Sequence, residues 1–237
     1  MRTTSRSPVV LVLAVAFLAT ACGGGARDLV VSEPATAVAP YNCHANWDSL
    51  MSWDDLADVV MFTDHFAVVT VVAEREWNRD NLRGDPLEGS IGRVVTMVTT
   101  DVAWTRPGAP ALPTSFDTSG DAWALKDGVK RPLVFSGLWR EVGQTYAVAL
   151  TESATGFDWY QTAAGAAWPL DAEGRLTTPC REAVAVELAG RTPGEVAALL
   201  EATPIPDYAV DLMDLAGLER IEAVMAARAA LGEPNDE

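Results

Sequence analysis

Few side chains in this sequence could carry out covalent chemistry. The 237 residues include three cysteines, Cys22, Cys43 and Cys180, and two histidines, His44 and His65. A Ser-His-Asp triad would need one of these histidines as its base. The serines nearest to a suitable turn are Ser119 in DTSGD and Ser136 in FSGL, and neither lies in the Gly-x-Ser-x-Gly elbow that exposes a nucleophile. His44 adjoins Cys43 and His65 opens a run of β-formers, positions that suit structural imidazoles. Asp117-x-Ser119-x-Asp121 begins like a calcium loop, but Ala122 stands where the turn glycine belongs and Gly128 where the bidentate glutamate belongs. Asp54, Asp58, Asp64 and His65 could gather round a cation, yet Asp54 and Asp58 are already explained as charges at a helix start. Phosphate-cradling glycine loops and dinucleotide fingerprints are absent from the sequence. With 33 acidic residues, carboxylate pairs for glycoside chemistry abound, so no one pair stands out. The expectation is a non-catalytic binding or structural module without metal ligands or cofactor, with an envelope hydrolase or an inhibitor- or chaperone-like module as the alternatives.

Two non-catalytic features could do work. Trp159 and Tyr160 lie near Trp168 in a region otherwise rich in Gly and Ala, and aromatics exposed there could stack on a sugar or an envelope partner. The same residues also suit core filling and strand lining. The last amphipathic stretch could pack on the domain or dock on another protein.

The segment before these residues fixes where they would act. Arg2 and Arg6 precede an apolar run from Val9 to Ala19, and small residues follow, the anatomy of an export signal. As helix the run spans about 16 Å, roughly half of a bilayer core, too short for a permanent span. Ala19-Thr20-Ala21 fits ordinary signal cleavage. Ala19-Thr20-Ala21-Cys22 resembles the lipobox of bacterial lipoproteins, which implies lipid on Cys22 as the mature N-terminus. The sequence departs from that pattern at Ala19, where leucine is usual; Leu18 is one place earlier. Gly23-Gly24-Gly25 would then be a flexible tether. Lipid on Cys22 leaves Cys43 and Cys180 as a pair, and an export compartment permits a disulfide between them. That crosslink would close a long loop worth about 4–5 kcal/mol in the chain-entropy model. Free secretion and two free thiols are the alternatives.

The formal charge of −16 becomes more negative without Arg2 and Arg6. That argues against nucleic acid and against electrostatic attachment of the whole body to anionic lipid. Nearly half of the residues are apolar (49%), enough for a substantial core.

The elements follow from periodicity. Ser52 and Asp55 resemble a capping box ahead of Trp53, Leu56, Val59 and Val60, which predicts a short helix over 53–61. His65 to Trp77 is rich in β-branched residues and reads as a strand, and Arg93 to Thr105 as a second. The segments 78–92 and 109–120 read as loops. Shorter strands are expected at 123–126, 132–135, 144–150, 157–162 and 167–170, with a turn at 171–174 and a return strand at 175–178. Thr192-Pro193-Gly194-Glu195 starts a helix that ends before Pro204. Asp207 then caps a last helix to Leu231, with Leu212, Leu215, Leu218, Ile221, Val224 and Met225 on its apolar stripe. Asp211, Asp214, Glu219, Arg220 and Glu222 oppose that stripe. Strands followed by helices predict an α+β fold: a small, mostly antiparallel β-barrel or strongly curved sheet with one short helix before it and helices after it. The long Val-rich strand, the second strand ending near Trp104, and Gly143-Gln144-Thr145-Tyr146 opening another resemble the OB-type barrel of netrin-like and metalloprotease-inhibitor modules. Those inhibitors chelate metal through an N-terminal Cys, and Cys43 is far from the mature terminus, so inhibition does not carry over. The expected organisation is a signal at 1–21, a tether at 22–45, a β-rich domain at 46–203 and a C-terminal helix and tail at 204–237.

Overall fold

The computed structural model describes residues 53–77, 89–133, 138–153, 159–161, 166–178 and 182–232. The chain divides into residues 1–37 and 38–237, and all described residues belong to the second unit. The C-terminal helix therefore belongs to the same unit as the strands.

Helix α1 (Leu56–Phe62) starts one turn later than the sequence indicates. Asp55 is its cap: the carboxylate accepts from the backbone N–H of Ala57 and Asp58 at 2.8 and 3.2 Å. The chain then enters β1 (His65–Trp77), the strand that the rest of the sheet is built on. It pairs with β2 (Gly89–Thr105) on one side and with β5 (Thr145–Glu152) on the other, both antiparallel. Irregularities against β2 at Phe66/Ala67, Val68/Val69 and Val71/Ala73 bend the pair. β3 (Ser115–Lys126) and β4 (Val129–Leu133) continue beyond β2, and β6 (Trp159–Gln161) beyond β5, giving the order β4-β3-β2-β1-β5-β6. β7 (Ala167–Pro169) lies against Tyr146–Val148 and β6 against Leu150–Glu152, so the two short strands follow one another along the same edge of β5. The sheet curls into a half-barrel: Trp159 of β6 reaches across to Phe116 of β3, with ring centroids 6.5 Å apart. This is an α+β fold around a curled antiparallel sheet, as the order of elements predicts.

The structure departs from the sequence reading at several points along the chain. Residues 115–120 are strand, not loop, because Phe116 and Thr118 point inward while Ser115, Asp117 and Ser119 alternate outward. Their Ser- and Asp-rich composition hides the period. The β3–β4 turn falls at Asp127-Gly128, as their types predict, both with positive φ (52° and 75°), the geometry of a two-residue hairpin, but β4 starts directly after it at Val129 and not at Pro132. The return strand at 175–178 reduces to a single bridge, Leu170 to Leu176. A short helix, α2 (Ala183–Leu188), stands where no element is expected, and α3 (Pro193–Ala202) carries the complete capping box of Thr192 and Glu195.

The last helix is broken in two. Residues Asp207–Leu212 form a 3₁₀ turn and α4 begins only at Gly217 (Gly217–Ala230). Gly217 has φ +42°, and a Cβ there would meet the Glu152 carbonyl oxygen at 2.4 Å. The glycine is thus a required entry point and not a weak helix centre.

Alternation along the strands divides the core. Inside the curl, Val69, Val95, Met97, Phe116, Val148 and Trp159 pack together. Outside it, Phe66, Trp104 and Trp168 meet the buried faces of α1, α3 and α4, including Ile221 and Val224. The apolar stripe of α4 faces this core and is not available to a partner.

Candidate functional site

Of the two roles open to Trp159 and Trp168, the structure has them as core residues and not as an exposed aromatic surface, 3% and 0% exposed. Trp159 tilts against His65 at 5.1 Å, and Trp168 packs on Phe66 and stacks on Trp53. β6 is the sheet edge that curls inward, which is why Trp159 is enclosed. Tyr160 pairs with Thr151 through the backbone; its side chain is outside the described residues. So are Cys22, Cys43, Cys180 and His44.

His65 is held on both nitrogens. Nε2 is 2.7 Å from the carbonyl of Pro110, which can only accept, so the ring donates there. Nδ1 then accepts from the hydroxyl of Thr105 at 3.0 Å, its directly opposed residue in β2. Burial holds the imidazole below its ordinary 6.5, with the Pro110 contact opposing. His65 is therefore a neutral imidazole that ties β1 to β2 and to the segment after it. Thr105 itself is exposed.

Of the acids considered for metal binding, Asp58, Asp64, Asp117 and Asp121 are each paired with arginine. Asp58, expected on an outer helix face, is buried; burial pushes its carboxyl up, while the Asp54 N–H at 2.7 Å and an ion pair with Arg228 oppose this. Asp64 lies at the centre of a buried knot. One carboxylate oxygen accepts from Arg106 at 2.9 Å and from Arg220 at 2.8 Å, and the other from the Thr151 hydroxyl and the Glu152 N–H. Burial pushes this carboxyl up, but Arg220 and the donors outweigh it and the net shift is downward. Arg220 also donates to the Met61 carbonyl and Arg106 to that of Met213. Asp117 accepts from Thr96 and Arg75, and Asp121 faces Arg140 on the opposite side of the strand turn. Among the described residues, no three of His, Cys, Asp and Glu are grouped to hold a metal.

Sequence reasoning missed a second buried cluster. Arg93 donates to Glu74 at 2.8 Å, to the Gly120 carbonyl at 2.9 Å and to the Arg140 carbonyl, with its guanidinium 4.0 Å over the Trp139 ring. Gly120 allows this approach; a Cβ would meet Val95 at 2.7 Å. Arg140 donates to the Ser119 carbonyl at 2.6 Å. Nothing in the sequence distinguishes Arg93 from a strand-end charge; only the curl encloses it.

No comparison identifies a relative. No family model, no curated protein and no solved structure matches the chain. The geometry therefore stands by itself: the buried charges are committed to backbone carbonyls and to each other, and the exposed functional groups lie on the sheet surface. The distal part of that surface, where β1 leaves β5 behind, carries Trp77, 46% exposed, beside the basic β3–β4 hairpin.

Proposed function

We propose that this chain is an extracytoplasmic protein of the cell envelope, held to the membrane by lipid on Cys22 and acting as a non-catalytic binding or structural module. The observation that carries this reading is the run from Arg2 to Cys22, a basic start, a short apolar stretch and Ala-Thr-Ala-Cys, followed by three glycines. The domain is consistent with it. His65, Asp58, Asp64 and Arg220 hold elements together, and all four are buried. A disulfide between Cys43 and Cys180 belongs to the same proposal, since it would fasten the end of the tether to the chain just before α2.

Mass spectrometry of the mature N-terminus tests the anchor. The wild type should begin at Cys22 with added acyl mass and sediment with membranes, and Cys22→Ser should lose both. Unacylated wild type in the medium sinks the reading. Non-reducing peptide mapping that recovers Cys43 and Cys180 as free thiols removes the disulfide.

A second reading, an exported hydrolase of envelope material, is favoured by one contact: an exposed hydroxyl, Thr105, on a buried neutral imidazole, His65. Turnover of wall glycans or peptides that is lost in both Thr105→Val and His65→Gln would establish it.

A further inference from the structure

Among the described residues, two that are not glycine take positive φ, and both are aspartates: Asp121 (68°) and Asp127 (52°). That region is disfavoured for an L-residue, because Cβ crowds the following carbonyl. The two surroundings are opposite. Asp121 is buried, its carboxylate faces Arg140, and the next residue, Ala122, is a ladder residue of β3 opposed to Gly92 and Leu133. Asp127 is exposed at the tip of the β3–β4 hairpin, and Gly128 follows it, also exposed and at φ 75°. The Asp127 carboxylate makes no hydrogen bond or ion pair among the described residues. The ladder closes at the Lys126–Val129 pair, so the Gly128 N–H lies outside it. Asp127-Gly128 is also the one place in the 237 residues where glycine follows Asp or Asn.

We propose that Asp127-Gly128 is a self-modifying site, at which the Gly128 nitrogen closes on the Asp127 side chain to a succinimide that reopens as isoaspartate or aspartate. The nitrogen attacks Cγ of the Asp127 carboxylic acid. A C–N bond forms, the bond from Cγ to its hydroxyl breaks, and the hydroxyl leaves as water with the amide proton. Water then adds to one of the two ring carbonyls. Addition at Cγ restores aspartate. Addition at the main-chain carbonyl leaves Gly128 joined to Cγ, which is isoaspartate. The sequence of steps needs no oxidant, metal or second chain.

Turn geometry favours the closure. The five-membered ring needs the Gly128 nitrogen eclipsed with the Asp127 Cβ, which for an L-residue sets ψ at about −120°, the value of the first central residue in a II′ turn. That residue has φ of about +60° in both I′ and II′ turns. The observed 52° therefore already fits, and one rotation of the peptide plane between Asp127 and Gly128 takes the turn from I′ to II′. Both types serve two-residue hairpins, so Lys126 and Val129 stay paired while the plane turns. Gly128 permits the rotation because it accepts either sign of φ and places no Cβ beside the attacking nitrogen. Isoaspartate puts one more carbon into the main chain of the turn. The Lys126–Val129 register then no longer closes, and β4, an edge strand held by β3 and by the Lys130–Glu76 ion pair, loosens. None of this depends on the export reading.

Incubation of the purified full chain in heavy-oxygen water at mildly acidic pH tests it, read by peptide mapping with mass spectrometry. Each passage through the ring should leave one heavy oxygen at Asp127. Cleavage there by an aspartate-specific protease should fall as isoaspartate, which it does not cut, accumulates. Asp127→Glu, which would need a six-membered ring, should carry no label at that position. Gly128→Asn keeps a residue that tolerates positive φ but adds a Cβ, and should slow labelling several-fold. Amide exchange at Val129–Leu133 should quicken in the aged wild type and stay unchanged in Asp127→Glu. Circular dichroism confirms that each variant is folded. A parallel incubation in urea separates the turn from the dipeptide: the native chain should label at least as fast as the unfolded one. Label confined to the unfolded chain overturns the proposal, since the hairpin would then protect the dipeptide. So does native label that is absent, or equal in Asp127→Glu and wild type.

Discussion

Asp64 sits where α1 hands over to β1, and two guanidiniums share its carboxylate in a region closed to water. Removing the carboxylate leaves two buried cations facing each other. Removing Arg220 leaves a neutral pair, Asp64 with Arg106, and strands carbonyls such as that of Met61. The costs should therefore be ordered. Asp64→Asn is expected to cost about 3–5 kcal/mol, the range for an uncompensated buried charge. Arg220→Met should cost about 1–3 kcal/mol, the range for stranded buried acceptors. Urea unfolding of both variants measures the two values, and equal losses would show that the carboxylate is not the centre of the knot. None of this is legible locally. Arg220 lies among Glu219 and Glu222 and reads as part of a solvated face, and Arg106 reads as a strand stop before Pro107.

The breaks between elements are set by backbone geometry as much as by hydrophobic pattern. Thr192 and Glu195 cap α3 as their spacing predicts, since a capping box needs only four consecutive residues. Gly217 is the contrary case. Its positive φ and the nearby Glu152 carbonyl leave no space for a side chain, so Gly217→Ala is expected to lower stability, by about 1–3 kcal/mol for the backbone strain alone. A thermal scan of that variant checks this; helix propensity alone would predict the opposite, a gain of about 1 kcal/mol. The sign of the change thus decides whether the glycine is a junction or an unfavourable helix residue.

At the scale of the whole molecule, several shifted groups give stability its pH dependence, among them His65, Asp64 and Glu182. His65 is held below its ordinary 6.5, so its contribution is present above that pH and lost as pH falls through the folded value. Asp64 behaves alike at lower pH: its folded value lies under 3.8, and its contribution fails only in stronger acid. Glu182 has the opposite sign. Burial pushes it up from 4.5 to about 7, so its contribution is present below 4.5 and lost as pH rises through 7. Glu182→Gln should accordingly be more stable than wild type at pH 8 and equal to it at pH 4, as read from urea midpoints. What the sequence by itself determined is whatever depends on neighbouring residues. The β-branched run places β1 at His65–Trp77, and the order of strands and helices sets the α+β class. The Arg2–Cys22 pattern likewise motivates the proposed export. Only the tertiary structure decided which side each strand residue faces once bulges shift the register. It enclosed Trp159 and Trp168 and drew Arg220 into the core. The reason is physical: these outcomes depend on curl and on pairings between residues far apart in the chain, and no local window of sequence contains that information.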